Sequence, residues 1–329
     1  MVDYAGNSCK ADASGVVVEN DAMIVVDDIK PILNKTEYTT EQSILEKDGK
    51  VYHFYQMDDQ AAVNFEIEET HFDLAAEDGT KSTPVYQVKP DSETAMKPVW
   101  NFTAGKAIAA AKFPGEALKE TEYTFSLKYK DPSGNWMTGS NGNAENICDE
   151  NGTFHSEIIV IDDAAPLLTR FEILSNGGNL LSEDGLYYAE NLEKEDIQIH
   201  LSIHDNDTYF NEESIFVEYS ADGITWNELN TDMEWTKGSD VHSAIYYFDG
   251  TESGEDTYQF RVSYIDRANN LLVLPSENKP MVNEMDGGVY TSSQKVVIDH
   301  SAPKLTEVVF SEPVIPAKCW IAPEIPQAK

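Results

Sequence analysis

The sequence predicts an all-β chain built from tandem two-sheet sandwiches, and three observations carry the prediction. Short runs alternate apolar and polar residues, Gly-containing turn pairs separate the runs, and the whole pattern recurs about 135 positions further along the 329-residue chain. Alternation puts every second side chain on a buried face, which is the period of a strand with one wet side.

Taken in order, the elements repeat one plan. Ala61, Val63, Phe65 and Ile67 alternate with mostly polar neighbours, and Ile197, Ile199, Leu201 and Ile203 do the same in the second copy. The alanines from Ala104 to Ala111 lean toward helix, but the stretch is short, contains Gly105 and corresponds to the strand-like Val241-His-Ser-Ala-Ile-Tyr-Tyr247; both read as strands. Tyr123, Phe125, Leu127 and Tyr129 alternate next, matched by Tyr258, Phe260, Val262 and Tyr264. Ile158-Ile-Val-Ile161 and Lys295-Val-Val-Ile298 close the copies, with the β-branched residues that suit a strand covered on much of both faces. Turn pairs stand between the runs at Asp48-Gly49, Asp78-Gly79, Asp184-Gly185, Asp222-Gly223 and Asp249-Gly250, with Asn176-Gly-Gly-Asn179 beside them. About seven short strands per copy fit a sandwich with Greek-key connections.

The repeat fixes the organisation. Tyr123-Thr-Phe-Ser-Leu-Lys-Tyr-Lys-Asp-Pro-Ser-Gly-Asn135 lines up with Tyr258-Gln-Phe-Arg-Val-Ser-Tyr-Ile-Asp-Arg-Ala-Asn-Asn270, and Met23-Ile-Val-Val-Asp-Asp-Ile-Lys-Pro31 with Ile158-Ile-Val-Ile-Asp-Asp-Ala-Ala-Pro166, both 135 positions apart. Val296-Val-Ile-Asp-His-Ser-Ala-Pro303 follows 137 positions after the latter. Glu69-Thr-His-Phe-Asp73 and Asp207-Thr-Tyr-Phe-Asn211 correspond at 138. Asp3-Tyr-Ala-Gly-Asn7 repeats the Asp-x-x-Gly-Asn turn. The expected division is residues 1–28 as the end of a preceding repeat, 29–163 and 164–300 as two full repeats, and 301–329 as the start of another.

Charge excludes several functions. With 23 Lys+Arg against 59 Asp+Glu, the net charge is −36, so nucleic acid and anionic membrane surfaces are repelled. The 16 Tyr, 13 Phe and 5 Trp supply real cores, so the acidity does not mean disorder. No membrane-spanning run or signal-peptide pattern is present in the sequence.

These motifs resemble the tandem immunoglobulin-like repeats of large bacterial cell-surface and adhesin-type proteins. The resemblance rests on Tyr-x-Phe-x-(Leu/Val)-x-Tyr-x-Asp-x-x-(Gly/Asn)-Asn, on the closing Val-(Val/Ile)-(Ile/Val)-Asp-x-x-(Ala/Lys)-Pro, and on the Thr-x-Phe-(Asp/Asn) segment, which together recur over nearly the whole chain. Tyr123 and Tyr258 stand where such a domain has its corner tyrosine, so Phe125 and Phe260 fill the place of a disulfide cysteine. Ser133 and Asn269 depart from the family's Asp-x-Ala-Gly-Asn turn. The resemblance implies a non-enzymatic stalk or spacer at the cell surface or outside the cell, with neighbouring repeats as its immediate partners. It names no protein or glycan ligand.

The linker Asp162-Asp163-Ala-Ala-Pro166 is short and stiffened by proline, as a semi-rigid rod requires. Acidic groups cluster beside it. Asp27, Asp28, Asp162, Asp163 and Asp299 end the closing strands, while Asp131 with Asn135 and Asp266 with Asn270 occupy the preceding turns. Calcium takes several carboxylate, amide and carbonyl oxygens, and a junction can supply them from two modules, as the resemblance also implies. The competing reading is that these residues cap turns and stay solvated. No other cofactor is required.

Catalysis finds no constellation. His200 and His204 are the one close histidine pair, and no G-x-S-x-G or phosphate loop occurs. Cys9, Cys148 and Cys319 are odd in number and far apart, so no disulfide framework is readable. Trp226, after the turn Ser220-Ala-Asp-Gly-Ile-Thr, and Trp235 are candidates for stacking on a sugar ring, against the alternative that Trp226 closes the core at a hairpin. A carbohydrate- or host-protein-binding module and an accessory region of a secreted hydrolase are the competing functions.

Overall fold

The computed structural model describes residues 26–57, 61–70, 72, 83–90, 97–103, 105–140, 148–175, 181–183, 186–188, 197–229, 235–250, 253–299, 301 and 304–307. Cys9, Cys319, the Asp3–Asn7 turn, His71, Asp73 and the turns at 78–79, 176–179 and 184–185 lie outside them.

The first unit opens with β1 (Ile32–Tyr38), β2 (Ser43–Lys47), β3 (Lys50–Tyr55), β4 (Ala62–Glu68) and β5 (Val85–Lys89). It continues through β6 (Asn101–Thr103), β7 (Lys106–Lys112), β8 (Glu120–Lys128), β9 (Thr138–Gly139), β10 (Thr153–His155) and β11 (Ile158–Asp162). One sheet has the order β6-β7-β4-β1-β9; the other runs β10-β8-β11-β3-β2, with β5 on β8. The pairings β1/β9 and β3/β11 are parallel, so the chain crosses between sheets as a sandwich requires.

The second unit repeats this plan. Its strands are β12 (Leu167–Ser175), β13 (Leu181–Glu183), β14 (Leu186–Tyr188), β15 (Ile197–His204), β16 (Phe216–Ser220) and β17 (Asn227–Glu228). After them come β18 (Thr236–Lys237), β19 (Val241–Phe248), β20 (Asp256–Ser263), β21 (Val282–Met285), β22 (Val289–Ser292) and β23 (Lys295–Ile298). The sheet β12-β15-β19-β18 faces one ordered β13-β14-β23-β20-β16-β17.

Each unit has its own core. Phe65, Ile67, Phe125, Leu127 and Ile161 fill the first, and Phe171, Ile199, Leu201, Phe260 and Val296 the second. The alanine stretch is strand: Ala107, Ala109 and Ala111 point inward from β7, and Gly105 turns the β6–β7 hairpin at φ +80°. Phe125 and Phe260 are buried in the two cores. The hydroxyls of Tyr123 and Tyr258 reach back to the carbonyls of Pro114 and Gly254, the corner-tyrosine arrangement of immunoglobulin-like domains.

The units meet through a third apolar cluster. Tyr52, Phe54 and Val160 of the first enclose Tyr209 and Ala268 of the second, and Phe54 and Tyr209 pack edge to face at 5.2 Å. Among the described residues no helix is long and apolar enough to cross a membrane.

Candidate metal centres at the ends of the repeats

Two equivalent turns position the acidic groups. In the first, Asp131 N–H donates to the Asn135 carbonyl at 3.0 Å, and Gly134, at φ +96°, closes the turn. Asn135 donates its backbone N–H to Asp131 Oδ1 (2.7 Å) and its side-chain amide to Asp131 Oδ2 (2.8 Å) and the Asp27 carbonyl (3.1 Å). Asp266 and Asn270 repeat every contact, at 2.8 and 2.9 Å within the turn and 3.2 Å to the Asp162 carbonyl. Asn269 takes the place of Gly134 at φ +72°, a conformation Asn tolerates better than most residues, so the second turn keeps the geometry of the first without a glycine.

The first cluster brings together Asp27, Glu69 and Asp131, with one carboxylate oxygen from each lying within 4.8 Å of the others. Glu69 and Asp131 are buried and Asp27 half-buried. At the corresponding places of the second repeat, Asp162, Asp205 and Asp266 are buried at 0%, 5% and 3% exposure but do not bring one oxygen each within that distance. Asp162 Oδ1 accepts the Ala164 N–H at 2.8 Å, whereas its Oδ2 is buried with no hydrogen-bond partner. Asp205 accepts the Asn206 N–H at 2.8 Å and the Tyr264 hydroxyl at 2.5 Å, and that hydroxyl in turn accepts Asn211 N–H.

Burial dominates the electrostatics of the second cluster. It pushes Asp162 up to about 8, with the charge of Asp266 next in weight and Glu120 and Asp205 adding to it. Asp266 rises to about 7 and Asp205 to about 6 for the same first reason, each held back by the hydrogen bonds it accepts. Burial and neighbouring negative charge favour protons on these three carboxylates, and Asp162 keeps one orphaned oxygen.

The sequence candidates separate accordingly. Asp27, Asp131, Asn135, Asp162, Asp266 and Asn270 converge on the two clusters. Asp28 is exposed and belongs to neither. Asp163 accepts the Leu118 N–H at 2.8 Å and serves the first unit's own loop. Asp299 is exposed and accepts Ser301 N–H, the same strand-end turn that Asp27 makes with Ile29 and Asp162 with Ala164.

Glu69 and Asp205 were not among the candidates, because the sequence alignment paired Glu69 with Asp207. Strand register corrects this. Leu33 faces Ile67 as Leu168 faces Ile203, and Glu69 N–H reaches the Gly105 carbonyl as Asp205 N–H reaches that of Asp240. The two extra residues of the second copy, Asn206 and Asp207, fall between that acid and Phe210. Carrying the register of the alternating strand one step past its end would have found both acids.

The remaining candidates lie apart. Trp226 is half-buried with the Arg261 guanidinium 4.3 Å from its ring centre, and Arg261 pairs with Glu218 through two bonds of 2.6 and 2.8 Å. Trp235 is half-buried against the core, edge to face with Phe210. Cys148 is half-buried, and burial first, then Asp149, pushes its thiol up to about 11, away from reactive character.

The sandwich topology, the corner tyrosines and the two separate cores define a tandem immunoglobulin-like β-sandwich protein. No protein-family model matches the sequence, and no curated protein matches it. Among solved structures it is similar to a three-domain titin structure, I67-I69 in an E-to-A mutated variant, at 8% identity and a TM-score of 0.28, covering 80% of this chain. It spans 65% of that structure's length. The titin tandem A164-A165 is similar at 8% identity and a TM-score of 0.27, with 82% of this chain and 98% of the other covered.

Proposed function

We propose that the chain is a non-enzymatic spacer segment of a large bacterial surface or adhesin-type protein, stiffened by calcium at the junctions between its repeats. The observation that carries this reading is the built junction. A linker of four residues joins two units that bury Tyr209 between them, and beside that contact lies a group of buried carboxylates with an unpartnered oxygen. An all-oxygen set with several carboxylates suits a hard cation that accepts irregular geometry, which favours calcium over magnesium. Asp27, Glu69 and Asp131, whose oxygens lie within 4.8 Å of one another, would hold it at the start of the first unit, and at the junction Asp162, Asp205 and Asp266 would have to close up to hold another. A bound ion would neutralise charge that otherwise drives the carboxylates apart.

Calorimetric melting with excess calcium and with a chelator tests this. Calcium at 100 times its dissociation constant adds about 2.7 kcal/mol per site. A higher melting temperature that magnesium does not reproduce is the expected result; superimposed curves would remove calcium from the reading and leave a plain acidic spacer.

A carbohydrate-binding module is the second reading, and one surface favours it. The outer face of the β12-β15-β19-β18 sheet has a shallow cavity of about 340 Å3 lined by Arg170, His200, Ser202, Ser243 and Tyr247. An aromatic ring beside hydroxyls and a guanidinium suits a sugar. Saturable binding on a glycan array that Tyr247→Ala removes would support it.

A further inference from the structure

The two units treat one sheet edge differently. In the first, β9 covers the start of the outer edge of β1 and runs parallel to it: Ile32 faces Thr138, Leu33 faces Gly139, and the Ser140 N–H donates to the Leu33 carbonyl at 3.3 Å. The second unit begins the same way on β12, where Leu167 faces Val273 and the Val273 N–H reaches the Pro166 carbonyl at 2.9 Å, as the Thr138 N–H reaches that of Pro31. There the pairing stops. Pro275 stands 135 positions after Ser140 and has no N–H to give the Leu168 carbonyl. Past it the chain turns away through Asn278, at φ +53°, and a groove of about 490 Å3 opens between β12 and Lys279-Pro-Met281.

The β12 side of this groove is a strand edge. In an antiparallel ladder successive residues turn their backbone groups to opposite sides, so residues two apart share a side. Ile173 N–H is directed away from β15, since it meets the side-chain Oε1 of Gln294 at 3.4 Å, and Phe171 therefore presents its N–H and C=O to the groove as well. The Gln294 amide is a stand-in for a peptide group, held at the long end of the hydrogen-bond range. Residues 164–300 contain seven Lys and Arg, and two of them, Arg170 and Lys279, line this groove. Arg170 holds Glu172 through Nε and Nη2 at 2.8 and 2.7 Å, which leaves Lys279 as the charge without an ion pair among the described residues there.

We propose that the β12 edge is a docking site for an extended peptide segment of another protein, which enters parallel to β12 on the side that β9 takes in the first unit, displaces the Gln294 amide, and pairs with the backbone of Phe171 and Ile173. Main-chain hydrogen bonds supply the affinity, and an acidic side chain set against Lys279 supplies the selectivity. Salt screens the chain's distant acids beyond roughly 8 Å, so the contact charge decides the preference. A second copy of this chain fits the edge less well, because two β12 edges meeting about a two-fold axis run antiparallel, against the direction that β9 and Val273 set.

Amide NMR spectra of the whole chain in chelator, titrated with the blocked peptide Thr-Val-Glu-Val-Thr-Val-Thr, test the assignment. The Phe171 and Ile173 amides are expected to shift saturably and to exchange with solvent about tenfold more slowly or better. The same peptide N-methylated along its backbone keeps the side chains, loses the strand hydrogen bonds and should not bind. Replacing its Glu by Lys should weaken binding about threefold or more, and Lys279→Glu should reverse that preference. Gln294→Ala, which clears the edge, should hold or raise the affinity. Edge amides unmoved up to about 1 mM peptide, or equal binding by the N-methylated peptide, would overturn strand addition. Shifts at Phe171 and Ile173 that grow with protein concentration alone would give the edge to a second copy and overturn the peptide assignment. Calcium is absent throughout, so these outcomes are independent of the calcium reading.

Discussion

Tyr209 of the second sandwich donates its hydroxyl to Glu122 of the first at 3.0 Å, while its ring meets Phe54 edge-on. One side chain thus supplies both the apolar and the polar part of the repeat junction. Around it Ser43 donates to the Arg267 carbonyl, Gln56 to the Asn269 carbonyl, and Lys47 pairs with Asp207 at 3.0 Å. The linker alone would restrict the units; these contacts select one arrangement.

Removing that side chain should therefore undock the units without unfolding either. Tyr209→Ala is expected to cost the docked arrangement about 3 kcal/mol, the range for truncating a large buried aromatic. Tyr209→Phe, which forfeits only the hydroxyl contact, should cost about 1 kcal/mol. Small-angle scattering measures the outcome: a broadened distance distribution for the alanine variant, with unchanged circular dichroism, is expected.

The acidic turns depend on their asparagines. Asn270→Ala removes an amide shared by Asp266 and the Asp162 carbonyl in a buried setting, so a loss of about 2 kcal/mol is expected in denaturant unfolding. Asn135→Ala should cost less, because that turn is half-open to water. At the left-handed position, Asn269→Gly should be nearly neutral and Asn269→Val clearly destabilising. An equal loss for both alanine variants would contradict the burial difference between the turns.

Much of this was legible in the sequence, and the exceptions have a physical reason. Alternation in Tyr123 to Tyr129 and Ile197 to Ile203 gave the buried faces directly, because strand period does not depend on neighbours. Asp131, Asp266 and their asparagines were legible as turn chemistry at fixed spacing. Glu69 and Asp205 were hidden by a two-residue length difference that only strand pairing resolves. The contacts of Glu120 and Glu122 with the second unit were hidden more deeply, since no local pattern records hydrogen bonds to Asn206 and Tyr209, 86 and 87 residues away.

Trp226 should behave as part of the second unit's structure. Arg261 lies over the ring and is held there by its two bonds to Glu218, a planar fork that a lysine ammonium cannot copy. Arg261→Ala and Arg261→Lys are both expected to destabilise the unit by about 1 kcal/mol and to shift tryptophan emission toward the red. Sugar-dependent quenching lost in Trp226→Phe would instead give this ring a binding role.

The buried acids set the sign of the pH dependence in a chelated sample. Asp162, Asp266 and Asp205 stand near 8, 7 and 6 in the folded chain, all above the ordinary carboxylate value of 3.8, so folding takes up protons. Their contribution is greatest at acid pH and is lost as pH rises through those values, the reverse of an ion-paired carboxylate. Without a cation, the melting temperature should fall between pH 5.5 and pH 8.5. Asp162→Asn, which keeps the shape and removes the charge, should flatten the upper part of that fall and raise the chelated melting temperature at pH 8.5. Saturating calcium should suppress the fall in the parent, because the ion takes over the neutralising work of the protons. Calorimetry at the two pH values in chelator and in calcium reads all three effects, and a chelated melting temperature that rises with pH would show that the three carboxylates are not crowded in the folded chain.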